Sequence, residues 1–138
     1  MSRVQLALNV SDIDEAVAFY SKLFATEPAK RRPGYANFAI ADPPLKLVLI
    51  EGTGGGTLNH LGVEMSAVEE VSAGLARISG EGLPVRVEGE VTCCYALQEK
   101  GWTNDPDGAP WELYTVLADA DVMHLEPTGC CAPTGLSI

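Results

Sequence analysis

The sequence predicts an α+β fold: two tandem βαβββ modules forming a curved mixed sheet around a metal cleft. Two observations carry this. A strand-like run, a serine cap and an amphipathic helix occur twice, over residues 4–10 with Ser11 and again over 59–65 with Ser66. The chain after each helix then repeats: Tyr35-Ala36 and Tyr95-Ala96 open strands, as do Pro44-Leu45-Lys46-Leu47 and Pro110-Trp111-Glu112-Leu113. Chance likeness of two amphipathic units would explain one shared register, but several in the same order point to duplication.

Taken in order, the first strand leads to an S-x-x-acid box of Ser11 and Asp14. The helix behind it lines up Ile13, Ala16, Val17, Tyr20, Leu23 and Phe24 on one face and stops near Glu27-Pro28. Lys30, Arg31 and Arg32, the one basic cluster, read as a solvated loop. Strands follow from Tyr35 and over 45–51, and the glycine-rich stretch 52–57 links the halves. In the second half Ser66 and Glu69 form the box, and Val68, Val71, Leu75 and Ile78 the apolar face, which ends at Gly80 and Gly82. Strands are expected over 85–92, from Tyr95, and over 110–117. The modules span about 1–51 and 58–118 of one domain, 1–118. The Gly- and Pro-rich tail, 119–138, lacks a periodic apolar face and is expected to be flexible.

The composition narrows the function. Nineteen acids against nine bases leave a net charge of −10, which repels phosphate backbones and anionic lipid and argues against nucleic-acid or membrane partners. No apolar run approaches the roughly 20 residues of a membrane span. The chain opens on strand-like sequence with no signal-type apolar region, so a cytoplasmic location is expected. Four cysteines stand as adjacent pairs, Cys93-Cys94 and Cys130-Cys131. Neighbours cannot bridge each other without severe strain, and no C-x-x-C zinc spacing is present, so these thiols read as available for chemistry.

The repeat also points to a site. Gln5 stands as far before Ser11 as His60 does before Ser66, and Lys46 and Glu112 are equivalent on the last strands. Packed about a pseudo-twofold axis, these positions converge. Gln5, His60 and Glu112 then offer an amide oxygen, an imidazole nitrogen and a carboxylate, a set suited to a borderline or hard divalent ion with positions left open. Singly, each residue has an ordinary reading: a strand histidine is more often structural, and Glu112 fits the solvent side of an alternating strand. Only their coincidence at repeat-related positions favours a metal.

These features resemble the vicinal oxygen chelate superfamily of glyoxalases, bleomycin-resistance proteins and extradiol dioxygenases. The stretches 1–10, 33–42 and 57–64 and the step Thr92-Cys93-Cys94 are similar to the carbon–arsenic lyase family and its cadmium-induced mycobacterial relatives, over residues 1 to about 118. The resemblance implies an Fe(II)-dependent, dioxygen-using enzyme that cleaves trivalent organoarsenicals such as methylarsenite to inorganic arsenite. Other divalent ions such as Ni, Co or Mn could occupy its site. It further implies Gln5, His60 and Glu112 as metal ligands and Cys93 with Cys94 as the arsenical's thiol ligands.

Soft trivalent arsenic suits sulfur, and capture beside the metal could lower the barrier by on the order of 7–11 kcal/mol through proximity. Neighbours on a regular strand face opposite ways, so a chelating Cys93-Cys94 must sit in a turn, bulge or loop. The repeat aligns it with the turn dipeptide Pro33-Gly34. Lys100 and Arg86 are the nearby cations that could favour thiolates, and Cys130 and Cys131 are possible accessory thiols. Three other functions stand as rivals. Soft-metal binding without catalysis would use the cysteines alone. A glyoxalase-like isomerase would carry an acid where Lys46 stands, and extradiol ring cleavage would carry a histidine in place of Gln5.

Overall fold

The computed structural model describes residues 2–123. Its elements divide between two compact units, one over Arg3–Asn59 and one from His60 onward. In the first unit β1 (Arg3–Val10), α1 (Ile13–Phe24), β2 (Lys30–Arg32), β3 (Tyr35–Ile40) and β4 (Leu45–Glu51) follow in sequence. The strands lie in the order β2-β3-β4-β1. β1 and β4 run parallel and the other pairs antiparallel.

Strand alternation separates two chemistries. Leu6, Leu8 and Val10 of β1, Leu47 and Leu49 of β4, and Ala36, Phe38 and Ile40 of β3 pack with Ile13 and Val17 of α1 into one apolar cluster. The intervening residues, Gln5, Lys46 and Asn37 among them, lie on the sheet face away from the helix. Asn37 donates to the Tyr35 hydroxyl there at 3.0 Å.

The second unit repeats the plan. β5 (Thr57–Glu64), α2 (Val68–Gly80), β6 (Arg86–Cys93), β7 (Ala96–Asn104) and β8 (Pro110–Asp119) give the order β5-β8-β7-β6. β5 and β8 are parallel and the rest antiparallel. Each unit is therefore a βαβββ module with the same mixed topology. Val71, Leu75 and Ile78 of α2 pack on Leu113 of β8. Gly101 of β7 lets the helix settle, since a Cβ there would come within 2.5 Å of Leu75 Cδ1.

Several local expectations need correction. Asp12, not Ser11, caps α1, its carboxylate accepting the Glu15 N–H at 3.0 Å. Ala67 occupies the equivalent place before α2 without a side-chain cap, and the Ser66 N–H is taken by Glu70 instead at 2.9 Å. Both helices thus begin one residue later than the serine boxes imply. Leu23 is 58% exposed, outside the α1 core face. The basic cluster forms β2 rather than a loop, with Arg31 bonded to Asp14. Most of the expected tail, including Cys130 and Cys131, lies outside the described residues.

Candidate metal centre and thiol pair

The polar site of the second unit grows from strand register. Trp102 stands opposite Glu112 and Lys100 opposite Tyr114 on β7 and β8, and Glu112 stands beside Gly62, two residues on from His60 on β5. Alternation puts His60, Glu112, Tyr114, Lys100 and Trp102 on the sheet face away from α2. His60 Nε2 lies 2.8 Å from Glu112 Oε2, and Lys100 Nζ lies 2.7 Å from Glu112 Oε1. All three side chains are buried.

Aromatic rings close in on the cation: Lys100 Nζ is 5.6 Å from the Trp102 ring centroid and 5.8 Å from that of Tyr114. The ring quadrupoles partly replace lost hydration. Trp102 also meets the His60 ring edge-on at 5.4 Å. It is anchored by its indole N–H, which donates to Glu88 Oε1 at 2.8 Å. The ladder shifts register between Val87 and Gly89, and Gly89 has φ +76°, so a bulge there accompanies the Glu88 contact.

Burial alone pushes the Glu112 carboxyl up. The Lys100 charge, then the charge of His60, and the hydrogen bonds from both outweigh it and hold the group far below the usual carboxylate range. Glu112 is therefore an anion at neutral pH.

The donors fit a divalent ion. Two ligands each about 2.0–2.2 Å from one ion lie close to 3 Å apart, and His60 Nε2 and Glu112 Oε2 are 2.8 Å apart. A nitrogen with a carboxylate oxygen suits Mn, Fe, Co, Ni or Zn. Among the described residues no group of three or more His, Cys, Asp or Glu side chains gathers around one point, so further ligands must be of other types. Gln5, the third expected ligand, is buried on β1 of the first unit beside Lys46.

The thiol pair sits at the tip of the β6–β7 hairpin. Cys93 is the last residue of β6 and pairs with Ala96, leaving Cys94-Tyr95 as a two-residue turn. Both turn residues have positive φ, 54° and 61°, the signature of a type I′ turn. That turn normally takes Asn-Gly, and side chains other than glycine cost of order 1–3 kcal/mol in such conformations. The turn meets the geometric condition for one-sided sulfurs: the two Sγ atoms stand 3.4 Å apart. At that distance they are not bonded to each other, yet neither is a free thiol: both cysteines are in disulfide form in this structure, which corrects the expectation of available thiols. Two sulfurs each about 2.3 Å from one soft centre would lie about 3.3–3.8 Å apart. The Pro33-Gly34 turn between Arg32 and Tyr35 is the counterpart, one position out of step with the expected alignment.

The register does not bring the sulfurs up to Glu112. Cys93 stands opposite Ala96, whereas Glu112 stands opposite Trp102, and that interval is about 20 Å of strand. Both candidate cations are engaged by carboxylates: Lys100 holds Glu112, and Arg86 holds Glu88 at 3.2 Å. Gln98 also reaches Cys93: its amide donates to the Cys93 carbonyl at 2.7 Å, while its own buried oxygen has no hydrogen-bond partner among the described residues. Sequence reasoning missed Gln98, Lys100 and Trp102 as one polar ladder. Their alternate spacing, flanked by Glu99 and Gly101, was the available signal.

Comparison with known proteins adds an independent line. The chain is 59% identical over 128 residues to the cadmium-induced protein CadI of Mycobacterium tuberculosis, covering 92% of this chain and 84% of that one. It is 53% identical over 136 residues to the trivalent organoarsenical cleaving enzyme of Thermomonospora curvata, covering 96% and 90%. In fold it is similar to the Mn(II)-bound glyoxalase of Novosphingobium aromaticivorans, with TM-score 0.63 and 20% identity over 92% of this chain and 44% of that one. Residues 3–113 match the Glyoxalase/Bleomycin resistance protein/Dioxygenase superfamily, and the chain belongs to it.

Proposed function

We propose that this protein is an Fe(II)-dependent, dioxygen-using lyase that cleaves the carbon–arsenic bond of trivalent organoarsenicals and releases inorganic arsenite. One observation carries the reading. A buried His60–Glu112 donor pair and two sulfurs 3.4 Å apart occur in one module, and the chain is 53% identical to a trivalent organoarsenical cleaving enzyme.

His60 and Glu112 would hold the metal, with Gln5, the counterpart of His60 in the repeat, as third ligand; bound Fe(II) would supply Lewis acidity and reactivity toward dioxygen. Cys93 and Cys94 capture the substrate. Capture needs both cysteines reduced first, by an external thiol that is itself oxidised to a disulfide; as two arsenic–sulfur bonds then form, the two thiol protons leave with the arsenical's two hydroxides as water. Trp102 walls the donor pair from solvent, and Gln98 fixes the carbonyl of Cys93. Because the turn lies far along the sheet from Glu112, turnover requires the hairpin tip to fold over the sheet face once it is loaded.

Two observations favour a second reading, sequestration of a soft ion such as Cd(II) by the cysteines without catalysis: the 59% identity to a cadmium-induced protein and the strand length between sulfurs and carboxylate. Anaerobic loading with Fe(II), then methylarsenite and air, separates the two. The lyase yields inorganic arsenite only with dioxygen, and Cys93→Ser and Glu112→Ala each reduce the yield at least about 100-fold. Fully loaded, reduced protein that forms no arsenite leaves sequestration.

A further inference from the structure

Glu112 is held from both sides, and the two contacts differ in kind. Oε2 faces His60 Nε2 at 2.8 Å, where a ring proton can give way to a metal. Oε1 faces Lys100 Nζ at 2.7 Å; an ammonium has no lone pair with which to ligate, and its positive charge repels a cation that approaches the same oxygen. We propose that Lys100 is a positioning residue that makes Glu112 a one-oxygen ligand: it occupies Oε1 and leaves Oε2, beside His60, as the carboxylate oxygen open to a divalent ion. The proposal rests on the reading of His60 and Glu112 as metal ligands.

The surroundings hold the lysine in this role. Its stem comes from β7 directly opposite Tyr114, two residues from Glu112 on the neighbouring strand. Its head lies between the Trp102 and Tyr114 rings, and the Trp102 indole is fixed in turn by Glu88. A carboxylate without this neighbour could chelate through both oxygens and take two positions on the ion. With Lys100 it takes one, and a coordination position stays open for a small molecule. Site openness is thus controlled by a side chain that does not touch the metal.

The test is anaerobic titration with Co(II), whose visible bands weaken as coordination number rises. Wild type is expected to show an intense band. Lys100→Met frees Oε1, and the band should fall at least about two-fold as the carboxylate chelates. Lys100→Gln still donates to Oε1 and should keep the wild-type spectrum. A role confined to packing predicts the reverse, because methionine matches the lysine stem better than glutamine. Should Lys100→Met fail to fold, the carboxylate infrared difference spectrum of wild type on Co(II) binding decides: widely split stretches of a one-oxygen ligand are expected, and the narrow splitting of a chelate overturns the proposal. His60→Ala and Glu112→Ala serve as controls. If the band needs both residues but ignores Lys100→Met, the role of Lys100 falls alone. If wild type binds no Co(II), or the band survives both alanine variants, the metal reading falls and the proposal with it.

Discussion

The two modules share a topology and differ in what they bury on the sheet face away from the helix. In the first, Lys46 stands beside Gln5, and the Asn37 amide donates to the Tyr35 hydroxyl. In the second the corresponding positions carry Glu112 and His60, and a fully buried lysine is locked to the glutamate. The turns differ likewise: Pro33-Gly34 supplies the one positive φ from a glycine, whereas Cys94-Tyr95 supplies two from residues that resist them. Buried charge and strain at the hairpin turn are thus concentrated in one copy of a duplicated unit, although the first module has its own left-handed residue, Ala25, where α1 ends. Because the fold tolerates their absence in the first module, the βαβββ plan does not require them, and chemistry is the better account of their presence in the second.

Removing the charge should produce the largest effect. In chelator-treated protein, Lys100→Met leaves Glu112 buried without its ammonium partner and should cost about 3–5 kcal/mol, whereas Lys100→Met/Glu112→Leu should recover most of it or exceed wild type. Urea unfolding of the single and double variants measures the difference. The pH dependence has a defined sign. The folded carboxyl titrates far below its ordinary 4.5, so its stabilisation is fully present above that value. It is lost as pH falls from 4.5 toward the folded pKa, where the unfolded chain binds a proton and the folded one does not. Over that window wild type should lose stability more steeply than the double variant. Parallel slopes would mean that the pair contributes nothing.

The paired architecture was legible because it depends on periodicity: two helix faces and repeated strand openings identify themselves without tertiary knowledge. Helix starts were misplaced by one residue because a serine box is a local signal, and Asp12 and Glu70 out-competed the expected partners. The basic run 30–32 carries no apolar pattern, yet its pairing with β3 makes it a strand. His60 and Glu112 followed from the repeat. Lys100 did not, because the first module has no charged residue at that place in the ladder, where Asn37 stands. A position that departs from its repeat counterpart is invisible to an argument built on symmetry. The separation of the thiols from Glu112 depends on register, which composition does not reveal.

A smaller effect is expected where helix meets sheet. Phe38 pairs with Leu47 in the first module as Gly101 pairs with Leu113 in the second. One module fills the space beneath its helix with a ring, and the other leaves it to Leu75. Gly101→Ala would push a methyl into Leu75 and should cost about 1–3 kcal/mol from overpacking. Pairing it with Leu75→Val should return part of that loss, as read from thermal midpoints. An additive double variant would show that α2 does not rest on Gly101.

The smallest effect separates strain from chemistry at the turn. Tyr95→Gly keeps both sulfurs and removes the side chain from a residue at φ 61°, so it should stabilise the protein by about 1 kcal/mol. Gly34→Ala in the first module, at φ 68°, should destabilise by a similar amount, because there the favourable residue is being removed. If Tyr95→Gly gains stability but weakens capture of a trivalent arsenical, measured by fluorescence titration, the strained turn serves to hold Cys94 beside Cys93. A gain in stability with unchanged capture would assign the sulfur spacing to the strands that flank the turn, with Gln98 gripping the carbonyl of Cys93 as the remaining device that sets it.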